Sequence, residues 1–151
     1  MYKKQFALVA ILFATTCAFA AEKFLNNLNQ DGVAIDGYDP VAFFTDNQPV
    51  KGKPEFQSIY RAARYYFASA DHKKMFDTDP RKYEPQFGGY CAYGVSKGAL
   101  YPIEVDAFQI VNGRLLLQYN KDAQKKFNQD TQGRLKLADE NWPKLVEQKA
   151  R

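Results

Sequence analysis

Three residues of this chain have side chains and spacings suited to soft-metal or thiol chemistry. Cys91 lies in the stretch FGGYCAYGV, residues 87 to 95, and His72 and Met75 stand three apart in ASADHKKMF, residues 68 to 76. A thiolate, a neutral imidazole and a thioether together suit Cu(I), which accepts soft ligands at low coordination number. Zinc fits less well, because a structural zinc site takes four Cys or His ligands. On a helix starting after Ser69, His72, Met75 and Phe76 share one face at i, i+3 and i+4. If the loop around Cys91 packs over that face, the three ligands meet. Each residue also has a plainer reading: free cysteine and methionine are common core fillers, and a single histidine is often satisfied by its neighbours.

Gly88, Gly89, Tyr90 and Tyr93 form a second candidate set, for a cofactor or small ligand. The two glycines permit positive φ and close backbone approach. The tyrosines, with Tyr65 and Tyr66, can line a pocket for an aromatic or amphipathic molecule. The competing explanation is that a small domain builds its core from rings. The glycine spacing is neither GxGxxG nor a P-loop, so phosphate cradling is not implied. No HExxH occurs. A Cys–His nucleophile would need the only histidine as its base, with no orienting group or oxyanion motif in view. Asp36 and Asp39 flank Tyr38 in a turn, where bonds to local amides account for them. The expectation is a binding module, not an enzyme.

The elements that must position these residues read as follows. Glu22 to Asp31 is a short polar helix or leader. Val33 to Ile35 is a short strand, and Asp39 caps a turn that Pro40 opens and that contains Val41 to Phe44. Phe56 to Tyr60 and Arg64 to Ala68 are aromatic-rich strands joined by a tight turn. Ser69 caps a helix running to Asp77, and Asp79-Pro80 ends it. A strand around Tyr101 to Val105 leads into a hairpin turning at Asn112-Gly113. Lys121 to Asp130 and Leu135 to Trp142 are closing helices, with Phe127, Leu135, Ala138 and Trp142 as buried candidates. The fold class expected is α+β: a small, mostly antiparallel sheet with helices packed on one side.

The N-terminus sets the compartment. Lys3 and Lys4 precede an apolar run from Phe6 to Phe13, and Ala18-Phe19-Ala20 has the small-x-small form of a signal-peptidase site. Residues 1–20 therefore read as a signal peptide, residues 21–31 as a leader, 32–143 as the domain and 144–151 as a tail. The expected location is periplasmic or secreted. The apolar run is too short to span a bilayer, so no stable membrane insertion is expected. Ala14-Thr15-Thr16 before Cys17 lacks the pattern of a lipobox. Cleavage would remove Cys17 and leave Cys91 as a lone thiol in an oxidising compartment, where it must be buried, bound or reactive. Two chains could pair their thiols, so a homodimer stays open. The 21 basic and 17 acidic residues give +4. Removing Lys3 and Lys4 leaves 19 against 17, or +2, with charges interleaved, so nucleic acid is not implied.

The motifs DGYDPVAFF, YYFAS followed by Met75-Phe76, DPRKYEPQFGGYCAYGV, NGRLLLQYN and ADENWP, in that order across residues 32 to 143, resemble the exported bacterial branch of the YHS domain family. That family is similar to cysteine-containing metal-binding modules of copper-transporting ATPases and heavy-metal sensors. The resemblance implies a metal ion as partner, with Cu(I) favoured and held by Cys91 with His72. Those modules read YFCSxxC, whereas this chain reads YFASADH from Tyr66 to His72. Ala68 thus stands at the first thiolate position and His72 at the second. The alternative is a domain without metal that recognises a small ligand or a protein through the Gly88 to Val95 loop and its aromatic cluster, with Cys91 packed inside.

Overall fold

Two tight hairpins organise the chain, and each follows from its turn. In the computed structural model, which describes residues 21–150, strands β1 (Lys53–Tyr60) and β2 (Ala63–Phe67) pair antiparallel, as do β3 (Glu104–Val111) and β4 (Arg114–Gln118). Both turns are two residues long with positive φ at both positions, Arg61-Ala62 (48° and 61°) and Asn112-Gly113 (52° and 74°). This geometry matches the right-handed twist of the strands. Asn-Gly suits it without strain; Arg-Ala does not, which explains why only the second turn stands out in the sequence. The hairpins remain two separate two-stranded sheets, not one sheet covered on one side. The fold is α+β.

Among the described residues six α-helices accompany them: α1 (Ala42–Thr45), α2 (Ala70–Thr78), α3 (Pro80–Tyr83), α4 (Ala92–Ser96), α5 (Lys121–Asn128) and α6 (Thr131–Lys149). Ser69 caps α2 by accepting from the His72 amide at 3.1 Å, and Asn120 caps α5 by accepting from the Ala123 amide at 2.9 Å. Helix α6 continues through Pro143 to Lys149, and its Leu145 is buried. The reason lies in packing, since Leu145 shares a cluster with Leu135 and Ala138. No helix of the described residues is long and apolar enough to cross a membrane. The expected signal peptide lies outside the described residues.

The leader is not helical. Residues 21 to 29 form an extended strap whose Asn27 amide donates to the Gly88 carbonyl at 2.8 Å. The Asn26 and Asn27 side chains donate to the carbonyls of Arg61 and Gly89, and Asn29 Oδ1 accepts from the amides of Asp31 and Val33. Asparagine side chains compete with helical bonds in this way, and so short a helix is marginal in water. Val33 and Ala34 make single bridges to Arg64 and Leu28, and a 3₁₀ turn at Ile35–Gly37 replaces the strand expected at Ile35.

Two apolar clusters fill the interior, and β4 runs between them. Leu115 and Leu117 join Phe43, Phe67, Phe76 and Tyr83 on one side, while Leu116 joins Val95, Phe127, Leu135 and Ala138 on the other. The period-2 alternation of a strand produces this division. The same alternation sends Gln118, which is fully buried, to the side of Leu116, where α4 packs.

Candidate functional site

The segment that carries Cys91 is bent into place by two left-handed residues. Phe87 and Gly88 have φ of 54° and 58°. A Cβ on Gly88 would stand 1.9 Å from the Leu25 carbonyl oxygen and 3.1 Å from the Trp142 ring. Gly88 is therefore a contact point for the strap and α6, not a ligand cradle. Gly89 (φ 78°) has room around it. The Tyr90 hydroxyl donates to the Asn26 carbonyl at 3.3 Å, and burial pushes this phenol above its ordinary pKa.

Cys91 follows as the N-cap of α4. Its amide donates to the Tyr101 carbonyl at 3.0 Å, and its Sγ accepts from the Gly94 amide at 3.4 Å. The thiol in turn donates to Gln118 Oε1 at 3.4 Å, and that oxygen also accepts from the Tyr93 amide at 3.0 Å. The Tyr93 bond fixes which end of the Gln118 amide faces α4, because a backbone N–H needs an acceptor. Gln118 Nε2 is left buried without a partner.

Cys91 is 1% exposed, yet it forms part of the floor of a cavity of about 530 Å³. Tyr93, Tyr101 and Tyr119 wall the cavity, and Lys97, Lys126 and Asp122 stand around it. Gly94 is what lets Tyr101 close in, since a Cβ there would lie 2.6 Å from the ring. The Tyr101 and Tyr119 rings are about half exposed, with centroids 6.2 Å apart and planes tilted by 54°. Lys97 Nζ stands 5.4 Å from the Tyr93 ring centroid, and the Arg134 guanidinium stands 5.1 Å from it. Among the described residues neither Lys97 nor Lys126 pairs with an acidic side chain.

His72 occupies a different setting. Its Nδ1 is 2.6 Å from Asp39 Oδ2, and its Nε2 is 3.5 Å from Thr45 Oγ1. Asp39 is fully buried; its Oδ1 accepts from the Val41 amide and its Oδ2 from the Ala68 amide, each at 2.8 Å. The aspartate thus does the turn work expected of it and also clamps α2 to the segment before α1. The partners of His72 and those of Cys91 have no residue in common. Met75 is 37% exposed and lies against Lys74, Thr78 and Lys82. The physical reason is that α2 buries Phe76 against Tyr65 and Phe67 of β2, at ring separations of 4.8 and 5.1 Å, while α4 packs on α6 and β4. The expected packing of the Cys91 loop over the His72–Met75 face therefore does not occur. No group of three or more His, Cys, Asp or Glu residues that could hold a metal ion exists among the described residues.

A second concavity of similar size lies between the strap and α6, with Phe24, Phe87 and Trp142 beside Arg61, Glu84, Arg114 and Asp139. Its cations are already matched: Arg61 meets Glu84 at 2.8 Å, Arg114 meets Asp139 at 2.6 Å, and Lys23 at its rim meets Glu147 at 3.1 Å. Burial raises the Glu84 pKa despite Arg61, and burial with the Glu84 charge raises that of Tyr65. Ligand charge finds less to bind here than at the unpaired lysines.

Of the four residues expected to bind a cofactor, Tyr93 lines the Cys91 cavity, Gly88 lines the second concavity, and Gly89 and Tyr90 line neither. Gln118, Tyr101, Tyr119, Lys97 and Lys126 were not anticipated. The one available signal was the Asn112-Gly113 hairpin, whose open end must bring the regions of Tyr101 and Tyr119 together. Compared with known proteins, the chain matches no family model, no curated sequence and no solved structure.

Proposed function

We propose that the protein is an exported binding module of the YHS type that takes a small organic ligand in the cavity beside Cys91. The observation that carries this reading is the cavity itself: three tyrosines, one on α4, one before β3 and one after β4, converge on the free thiol of Cys91. Ligand pockets combine apolar and aromatic walls with a few polar groups that fix orientation, and a volume of about 530 Å³ suits a molecule of one or two rings. Cys91 serves as floor and helix cap in this reading. Soft-metal capture through Cys91 and His72 has less behind it, because the thiol and the imidazole bond to different partners. Export rests on the N-terminal segment and the YHS assignment on the ordered motifs.

A fragment screen read by amide chemical shifts tests the proposal. Fragments should move the Tyr93, Gly94 and Ala123 amides together, and Tyr101→Ala should abolish the response. Hits that cluster instead around Trp142, or a screen with no response at these amides, would move the function elsewhere.

A further inference from the structure

We infer that the ligand of the Cys91 cavity is a planar aromatic anion, of the class of a small arene carboxylate. The inference rests on the pocket reading above and adds the ligand's charge and shape. The side chains around the opening are rich in donors: three phenols and two ammonium groups, against the single carboxylate of Asp122. A ligand that satisfies them must be rich in acceptors, and one that neutralises two cations must be negative. Lys126 stands four residues after Asp122 on α5, the spacing at which helical ion pairs form, yet no ion pair joins them. Elsewhere at this spacing Lys73–Asp77 and Lys136–Glu140 close, at 2.5 and 3.9 Å, while Glu140–Lys144 on α6 stays open as Asp122–Lys126 does.

The shape argument comes from the rings. Tyr101 and Tyr119 lie at a separation and tilt that leave ring surface open, and an aromatic ring packs on such surface in an offset or edge-on arrangement. Tyr93 is already flanked by Lys97 and Arg134, so the positive field extends along the cavity wall. Behind Cys91, the Gln118 amide spends its oxygen on the thiol and the Tyr93 amide and keeps an unpartnered N–H₂. That donor does not line the cavity, so the ligand's charge is set by the lysines and phenols at the opening.

A charge-matched panel decides the matter. Benzoate, benzamide and benzylamine, with their naphthalene counterparts, are titrated into the protein at low and at high salt, with the Tyr93, Gly94 and Ala123 amide shifts as readout. The carboxylates should bind about 5- to 10-fold tighter than the amides at low salt, as two exposed charges permit, and the preference should shrink at high salt. Lys126→Ala should reduce the preference of carboxylate over amide and Asp122→Asn should enlarge it. Equal binding of all three charge types at the same amides would overturn the anion inference and leave the pocket reading intact. Tightest binding by the amines would overturn it as well. Absence of any shift at these amides with the whole panel would overturn both.

Discussion

Replacing Asp39 by alanine should cost the fold about 2–6 kcal/mol, because it orphans two amides at once. The buried carboxylate accepts from the Val41 and Ala68 amides and from His72. Each buried donor left unbonded costs about 1–3 kcal/mol. The His72 side chain is 18% exposed and can turn to water, so it adds little. Against a total stability of about 5–15 kcal/mol for an ordinary domain, the loss is large. His72→Ala removes one donor that can be replaced by water and leaves the carboxylate with its two amides, so it should cost only about 0.5–1.5 kcal/mol. Asp39→Asn belongs between them, since an amide can keep the Val41 bond but must point N–H₂ at the Ala68 N–H. Urea unfolding followed by far-UV circular dichroism and by the fluorescence of Trp142, the only tryptophan, gives the three values. An Asp39→Ala variant within about 1 kcal/mol of the wild type, or a His72→Ala variant as damaging as Asp39→Ala, would refute the assignment of the two amides as the main clients of this carboxylate.

Three further outcomes are expected. Gly88→Ala should free the strap, because the new Cβ meets the Leu25 carbonyl at 1.9 Å; limited proteolysis should then cut within residues 21 to 29, while Gly89→Ala, which has space, costs only the left-handed φ, about 1–2 kcal/mol. Cys91→Ser should hold stability within about 1 kcal/mol because serine caps α4 and still donates to Gln118, and Cys91→Ala should cost about 1 kcal/mol more; equal melting temperatures for the two would contradict the capping role. The Glu84 pKa is raised in the fold by burial, so the folded state holds its proton to higher pH than the unfolded state. Stability contributed by this group is therefore present below the unfolded value near 4.5 and is lost as pH rises through the folded value. Glu84→Gln should flatten the pH dependence of the urea midpoint in that window, and an unchanged slope would count against the assignment.

The parts of the fold legible in the sequence are those with a local physical cause. Ser69, Asp79-Pro80 and Asn112-Gly113 announce their helix start, helix end and turn because a cap, a fixed φ and a positive φ are properties of the residues themselves. The path of the leader was not legible, since apolar residues at helical spacing there compete with two asparagines, Asn26 and Asn27, whose bonds reach across the fold, and with Asn29, which bonds the turn that follows it. The candidate site divides in the same way. Cys91 and Tyr93 stand out by type, whereas Tyr101, Tyr119 and Lys126 acquire meaning only when two hairpin ends and α5 converge. The expected Cys91–His72–Met75 grouping assumed that one helix face and one loop meet, and Phe76 had already committed that helix to β2.

The alternation along β4 has a consequence for how this molecule can err. Leu115 and Leu117 serve one cluster, Leu116 and Gln118 the other, and Tyr119 follows at the cavity. A single-residue slip in the hairpin would exchange these assignments wholesale, sending an amide into the Phe43–Phe67 cluster and withdrawing the acceptor that Cys91 and the Tyr93 amide share. The Asn112-Gly113 corner, at the far end of the strands, thus acts as the alignment pin of the cavity. A lineage that lengthened this corner by one residue would inherit every wall residue in its sequence and no cavity in its fold.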